Sequence, residues 1–247
     1  MTMAGTMTGR TALVVSAHSA DFVWRAGGAI ALHASQGAAV TVICLSYGER
    51  GESAKLWRQD GMTLDRVKTE RRKEAEAAAE ALGVADIQFW DLGDYPIALP
   101  DEALYRLADL HRAIHPAFVL THSREDPYNH DHPAVSSFAQ HARIVAQAHG
   151  HNPGVPVAGS PPVFLFEPHQ PEQCRWMPTM LLDITAVWDR KQAAIECMAG
   201  QEHLWEYYGR VALQRGAQAA RNSDRKGIKY GEAYEAVFPH VVSDLLP

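Results

Sequence analysis

Cysteine is scarce in this chain: three residues in 247, Cys44, Cys174 and Cys197, with no close spacing between any two. An odd, scattered set excludes a disulfide framework and a cysteine-rich zinc site, and it fits a reducing compartment. No run of about 18 apolar residues occurs, so no conventional membrane-spanning helix is expected. Residues Met1 to Thr11 lack the basic-then-apolar order of a signal peptide. Positive charge is also short. Lys and Arg number 23 against 29 Asp and Glu, a net charge of −6, which argues against a nucleic-acid-binding surface. No Gly-x-Gly-x-x-Gly follows the first apolar segment, so a dinucleotide fingerprint is missing. What remains is a cytoplasmic protein without nucleic-acid or membrane partners, expected to form one domain over residues 1–247 and long enough to bury a full core.

What is present is a regular alternation of short apolar runs with helical patterns. Strands are predicted at 12–17, 40–45, 87–90, 117–121, 163–166 and 180–183, the buried kind typical of parallel sheets. Helices are predicted at 22–35, 66–82, 101–115, 133–149, 186–199 and 202–220. Gly37 and Gly83 serve as stops and Asp101 as an N-terminal cap. A polar tail then leads to a Tyr- and Phe-bearing segment at 230–238. Strand–helix alternation implies right-handed βαβ units: an α/β, Rossmann-like, mostly parallel sheet with helices on both faces and a site at the carboxyl ends of the strands. The apolar and aromatic residues of 186–208 are expected in the core or at a subunit interface of a homo-oligomer. Helix 66–82, rich in Glu and Arg, reads as a solvated face.

Thirteen histidines are present, and they concentrate where that architecture places ligands. Ala17-His18-Ser19-Ala20-Asp21 closes the first strand and opens a helix. His122-Ser123-Arg124-Glu125-Asp126-Pro127-Tyr128-Asn129-His130-Asp131-His132 follows the fourth. His18, Asp21 and His132 are the expected ligands of one Zn2+ with a coordination position left open, as in catalytic sites. His130 stands in reserve, and Asp131 is expected to orient a ligand or bind substrate.

The strand-Ala-His-x-x-Asp sequence, the Gly48-Glu49-Arg50-Gly51 loop and the Asp131-His132 pair resemble the PIG-L/LmbE-like zinc deacetylases. The resemblance is strongest over 12–53 and 117–133, and it gives His18, Asp21 and His132 the places of that family's metal ligands. Those deacetylases usually read Ala-His-Pro-Asp-Asp, with the first Asp as the base that activates water. Here that place holds Ala20, which cannot accept a proton, and Ser19 replaces the Pro. Asn129 stands where the family has a histidine that stabilises the tetrahedral intermediate. Each lost helper is worth a factor of about 10² or more in amide hydrolysis.

The longer runs Ala17–Gly28 and Ser46–Ala54 resemble one branch of that family, and this implies a different reaction: reversible addition of water to a small, conjugated tricarboxylate in the breakdown of gallate and protocatechuate. With Ala20 excluded, the expected base is Glu52, with Glu49 as the other choice on the same loop. His169 is the expected proton donor to carbon. Arg50 is the expected carboxylate anchor, chosen over Arg124, Arg215 and Arg221. Tyr128 and Asn129, like Asp131, are expected on the substrate side. Two rivals stand beside the hydratase: a zinc-dependent N-deacetylase acting on an amino-sugar-like amide, and a catalytically silent binding protein.

Overall fold

Four residues of unbroken apolar character, Ala12 to Val15, can be buried on both sides only at the centre of a sheet covered by helices on each face, and that is where the first strand lies. The computed structural model describes residues 9–239 and 241. In chain order the elements are β1 (Thr11–Ser16), α1 (Asp21–Ser35), β2 (Ala39–Cys44), α2 (Ala54–Trp57), α3 (Leu64–Leu82), β3 (Asp86–Phe89), α4 (Asp101–Ile114), β4 (Phe118–Thr121), α5 (Asp131–Gln147), β5 (Val163–Phe166), β6 (Met180–Asp183), α6 (Trp188–Cys197), α7 (Trp205–Arg221) and β7 (Gly231–Ala236). They build a seven-stranded sheet of order β3-β2-β1-β4-β5-β7-β6. The first five of these pair in parallel, while β7 runs antiparallel to both β5 and β6. Successive β1 side chains enter different cores. Val14 packs with Phe22, Ile30, Leu82 and Ile195 on one face, and Leu13 and Val15 pack with Leu107, Val135 and Phe138 on the other.

The chain leaves β1 toward β2 and β3, then returns to β4 on the opposite side of β1. This reversal opens a crevice beyond the carboxyl ends of β1 and β4, the usual ligand site of such sheets. No helix among the described residues is long and apolar enough to cross a membrane.

Several boundaries differ from the sequence expectation. The 230–238 segment contains an interior strand, β7, paired with β5 on one side and β6 on the other. Its burial is carried by Glu232, Ala233 and Tyr234 rather than by an apolar run, so no strand pattern was visible. The predicted helices 186–199 and 202–220 shorten to α6 and α7, because Thr185–Val187 and Ala199–Leu204 form tighter 3₁₀ turns and Gln201 leaves helical geometry (φ −128°). Asp101 is the first residue of α4 and Pro100 takes the cap position. Helix α3 is not wholly a solvated face: Arg71 is fully buried, donating to Gln201 Oε1 at 2.7 Å and to Glu74 Oε2 at 2.7 Å. Of the 186–208 residues, Val187, Trp188, Ile195, Met198 and Tyr208 join the core.

His111 on α4 is buried with neither ring nitrogen hydrogen-bonded. Burial, and then Arg143, hold its pKa down at about 4, below the ordinary 6.5. The unfolded chain therefore binds the proton first, and stability drains away as pH falls from about 6.5 to about 4, by roughly 3 kcal/mol for this group. His111→Leu is expected to lose less melting temperature between pH 7 and pH 4.5 than the wild type in a thermal denaturation series.

Candidate metal centre

Four elements deliver the site. His18 sits in the turn after β1, where its backbone N–H donates to Asp21 Oδ2 at 2.8 Å, so Asp21 closes the turn as it opens α1. Ser19 Oγ donates to the Tyr47 carbonyl at 2.9 Å and ties this turn to the loop after β2. In that loop Gly48 adopts φ +67°, and a Cβ there would lie 3.2 Å from both His18 Cβ and Glu52 Cβ. The close approach brings Glu52 onto the site. His132 comes from the first turn of α5, after β4.

The hydrogen bonds around the two imidazoles fix which nitrogen is free. His18 Nε2 lies 3.2 Å from Asp131 Oδ2, and the Asp131 carboxylate also accepts from the N–H groups of Tyr95 and Ile97 at 3.0 Å each. A carboxylate so placed takes the Nε2 proton and leaves a lone pair on Nδ1. His132 is the mirror case: Nδ1 faces Asp126 Oδ2 at 2.8 Å, leaving the lone pair on Nε2. Both free nitrogens are buried and have no hydrogen-bond partner. His18 Nδ1 lies 3.2 Å from Asp21 Oδ2 and 3.2 Å from Glu52 Oε1. His132 Nε2 lies 3.5 Å from Asp21 Oδ1 and 4.0 Å from Glu52 Oε1. One donor atom from each of His18, Asp21, Glu52 and His132 lies within 4.8 Å of the others.

Two buried lone pairs and two carboxylates facing one another repel, and a divalent cation between them converts each repulsion into a bond. The residues fit a metal ion, and the mixed nitrogen and oxygen donors suit zinc and its transition-metal neighbours. The electrostatics agree. Burial opposes charge on His18, yet Glu52, then Asp131 and Asp21, outweigh it and hold the imidazole well above its ordinary pKa. Burial would raise the Asp21 carboxyl, but His122 and His132 hold it well below the carboxylate range. His122, which accepts from the Ala17 N–H at 2.9 Å, stacks on His132 with ring centroids 4.2 Å apart. Burial, then His132, lower its pKa well below the ordinary imidazole value, against the opposing pull of Asp21.

A cleft of about 250 Å3 opens onto this group. Asp21, Glu52, Tyr128, Asn129, His132 and His169 line it; Asn129 Nδ2 donates to Glu52 Oε1 at 3.3 Å, and Tyr128 is largely exposed at the rim. The His169 ring stacks on Tyr207, and burial, then Arg25, lower its pKa. Other expected residues lie elsewhere. Glu49 is turned away: its Oε2 accepts from the Tyr47 N–H at 3.1 Å, and it takes no part in lining the cleft. Arg50 is exposed and bound to Asp94 through its backbone N–H and guanidinium, so it reaches neither cleft nor metal group. Asp131 stands behind His18 rather than in the cleft, an orienting position and not a substrate-side one. His130 is exposed at the head of α5.

Sequence reasoning passed over Arg25, Asp126, His122 and Tyr95. Arg25 follows Asp21 by four positions on α1 and therefore shares its face, a spacing that could have revealed it. It lines the cleft almost fully buried, with Nε 3.4 Å from Asp21 Oδ1. Asp131→Asn is expected to keep the fold and weaken metal binding by about 10–100-fold, read by competition with a chromophoric chelator.

A His/carboxylate metal group at the carboxyl ends of a doubly wound sheet is the architecture of metal-dependent deacetylase-like proteins, and the chain belongs to the PIG-L family, whose model, described as GlcNAc-PI de-N-acetylase, matches residues 13–143. Among individual relatives, the 4-oxalmesaconate hydratase of Pseudomonas putida KT2440 is 62% identical over 239 residues, 96% of this chain and 92% of that one. The crystal structure of the 4-carboxy-2-hydroxymuconate hydratase from Pseudomonas putida KT2440 superposes with a TM-score of 0.93 at 62% identity, covering 96% of this chain and all of the other. A diacetylchitobiose deacetylase from Pyrococcus horikoshii shares the fold, with a TM-score of 0.76 at 22% identity over 92% of this chain and 84% of its own.

Proposed function

We propose that the protein is a metal-dependent hydro-lyase that adds water to 4-oxalmesaconate or 4-carboxy-2-hydroxymuconate, giving 4-carboxy-4-hydroxy-2-oxoadipate. The observation that carries this reading is a displaced carboxylate. Position 20 offers only a buried alanine methyl, whereas Glu52, from a different loop, stands 3.2 Å from His18 Nδ1 inside the metal group. The near full-length identity to a hydratase supports the same reaction, and the deacetylase alternative has nothing at position 20 to serve it.

His18, Asp21 and His132 would hold the ion, which we take to be Zn2+; when bound it would supply Lewis-acid polarisation of substrate oxygens. Glu52 takes a proton from the attacking water. Without the metal, burial would raise its pKa, but a charged His18 outweighs burial and lowers it, which leaves the carboxylate ionised. The water oxygen joins the carbon that ends with the hydroxyl, and the double-bond pair takes a proton at the neighbouring carbon. His169, on the cleft wall, is the residue we assign to give that proton. Arg25 is the fixed cation for one of the three carboxylates, replacing Arg50 in that role. Asn129 and Tyr128 contribute hydrogen bonds at the mouth.

The test follows absorbance of the conjugated tricarboxylate with the zinc-loaded protein, beside acetate release from N-acetylglucosamine-type amides. Loss of absorbance without acetate release is the expected result. Acetate release by a metal-replete protein inert toward the tricarboxylate overturns the proposal in favour of the deacetylase.

A further inference from the structure

Gly27-Gly28 in the middle of α1 lies outside the metal group and has no explanation in the reaction. Its surroundings supply one. The Glu232 carboxylate, from β7, is buried against the flank of α1. Its Oε1 accepts from the Gly28 N–H and its Oε2 from the Ala29 N–H, both at 2.7 Å. In an undisturbed helix those two amides serve the carbonyls of Trp24 and Arg25, four residues earlier. Here both carbonyls have side-chain company. Lys191 Nζ, from α6, donates to the Trp24 carbonyl at 3.1 Å and to Glu232 Oε1 at 2.6 Å. The Tyr234 hydroxyl donates to Glu232 Oε2 at 2.6 Å and lies 3.4 Å from the Arg25 carbonyl. All three side chains are buried. Gly28 is required because a Cβ there would fall 2.9 Å from Glu232 Cδ and 2.7 Å from two carbons of Ile184.

An apolar trio of equal volume would fill this space without the cost of desolvating a carboxylate and an ammonium, so packing alone does not account for it. What the trio does is engage the backbone of the turn that carries Arg25. The guanidinium end is fixed from the same side: Arg25 donates to the Glu167 carbonyl at 3.2 Å, and the Glu167 carboxylate is itself gripped by Arg215. Lys191, Glu232, Tyr234 and Glu167 all lie beyond residues 13–143, the part that matches the family as a whole.

We infer that Glu232, Lys191 and Tyr234 form a polar wedge that sets the position of Arg25 in the cleft, and with it the preference for a substrate bearing a carboxylate at that point. The three are positioning residues acting through Arg25. The inference rests on the carboxylate-anchor reading of Arg25 given above.

A double-variant cycle separates the two. Arg25→Gln, Tyr234→Phe and the combination are compared with wild type for KM and kcat on the tricarboxylate, with metal content and melting temperature recorded for each. Tyr234→Phe removes one hydroxyl and keeps the ring; Lys191→Met gives a second, independent entry to the wedge if that variant folds poorly. The expected result is a KM raised about fivefold or more in Tyr234→Phe, with kcat within about twofold and metal content unchanged. In the Arg25→Gln background the same change is expected to have no further effect on KM. Equal KM effects in both backgrounds, or none in Tyr234→Phe while Arg25→Gln raises KM, overturn the wedge and leave the anchor standing. An unchanged KM in Arg25→Gln overturns both.

Discussion

Glu52→Gln is expected to keep the metal and lose turnover by about 10²–10⁴-fold, the range for removing a general base. The substitution is close to isosteric, so the Asn129 contact at 3.3 Å and the packing of the Gly48 loop are disturbed little. His18, Asp21 and His132 remain as three ligands, enough for a catalytic zinc site. Turnover and metal stoichiometry, measured on the same preparation, distinguish two jobs for this carboxylate. Loss of turnover with one ion still bound marks a proton acceptor. Loss of both marks a ligand, and the base must then be sought elsewhere on the cleft wall.

The second large effect is expected from His18→Ala, which should abolish metal binding and turnover together. Its Nδ1 is one of two imidazole lone pairs in the group, and its Nε2 is the partner of Asp131. Removing the ring leaves Asp131 with only the Tyr95 and Ile97 amides and deletes the nitrogen nearest Glu52. Metal analysis should find well under one ion per chain after dialysis, where Glu52→Gln retains it. The carboxylates that favour a cation also raise the proton affinity of His18, so protons compete with the metal. Affinity should therefore fall as pH is lowered, which a chelator titration over several pH values reads directly.

The sheet and the gathering of His18, Asp21 and His132 at one point were legible because each depends on local signals. An apolar run ending in Ala17-His18 and a second ending before the Asp131-His132 pair mark two strand ends, and parallel pairing of β1 with β4 brings them together. Glu52 was reachable by the same logic, since β2 lies beside β1. The carboxylate anchor was misread because loop position is a poor guide to direction. Arg50 is next to the site in sequence and turns to Asp94, while Arg25 is hidden inside a helix that reads as core. Nor did β7 announce itself. Its Glu232 has the composition of an exposed strand, and its burial is made tolerable by partners remote in sequence, Lys191 and the Gly28 and Ala29 amides, together with the Tyr234 hydroxyl.

The wedge also ties the turn bearing Arg25 to a distant part of the chain. His18 and Asp21 flank the start of α1, and the carboxylate that holds Gly28 and Ala29 is 204 positions downstream of Gly28. Until β7 has been made and threaded between β5 and β6, the amides of α1 have no Glu232 to meet, and the turn bearing Arg25 lacks its side-chain restraints. Closing a loop of that length is a late and slow event. The catalytic face is thus assembled from distant parts of the chain: His18 and Asp21 follow the first strand, His132 opens α5, and the restraints on the turn bearing Arg25 come from β7.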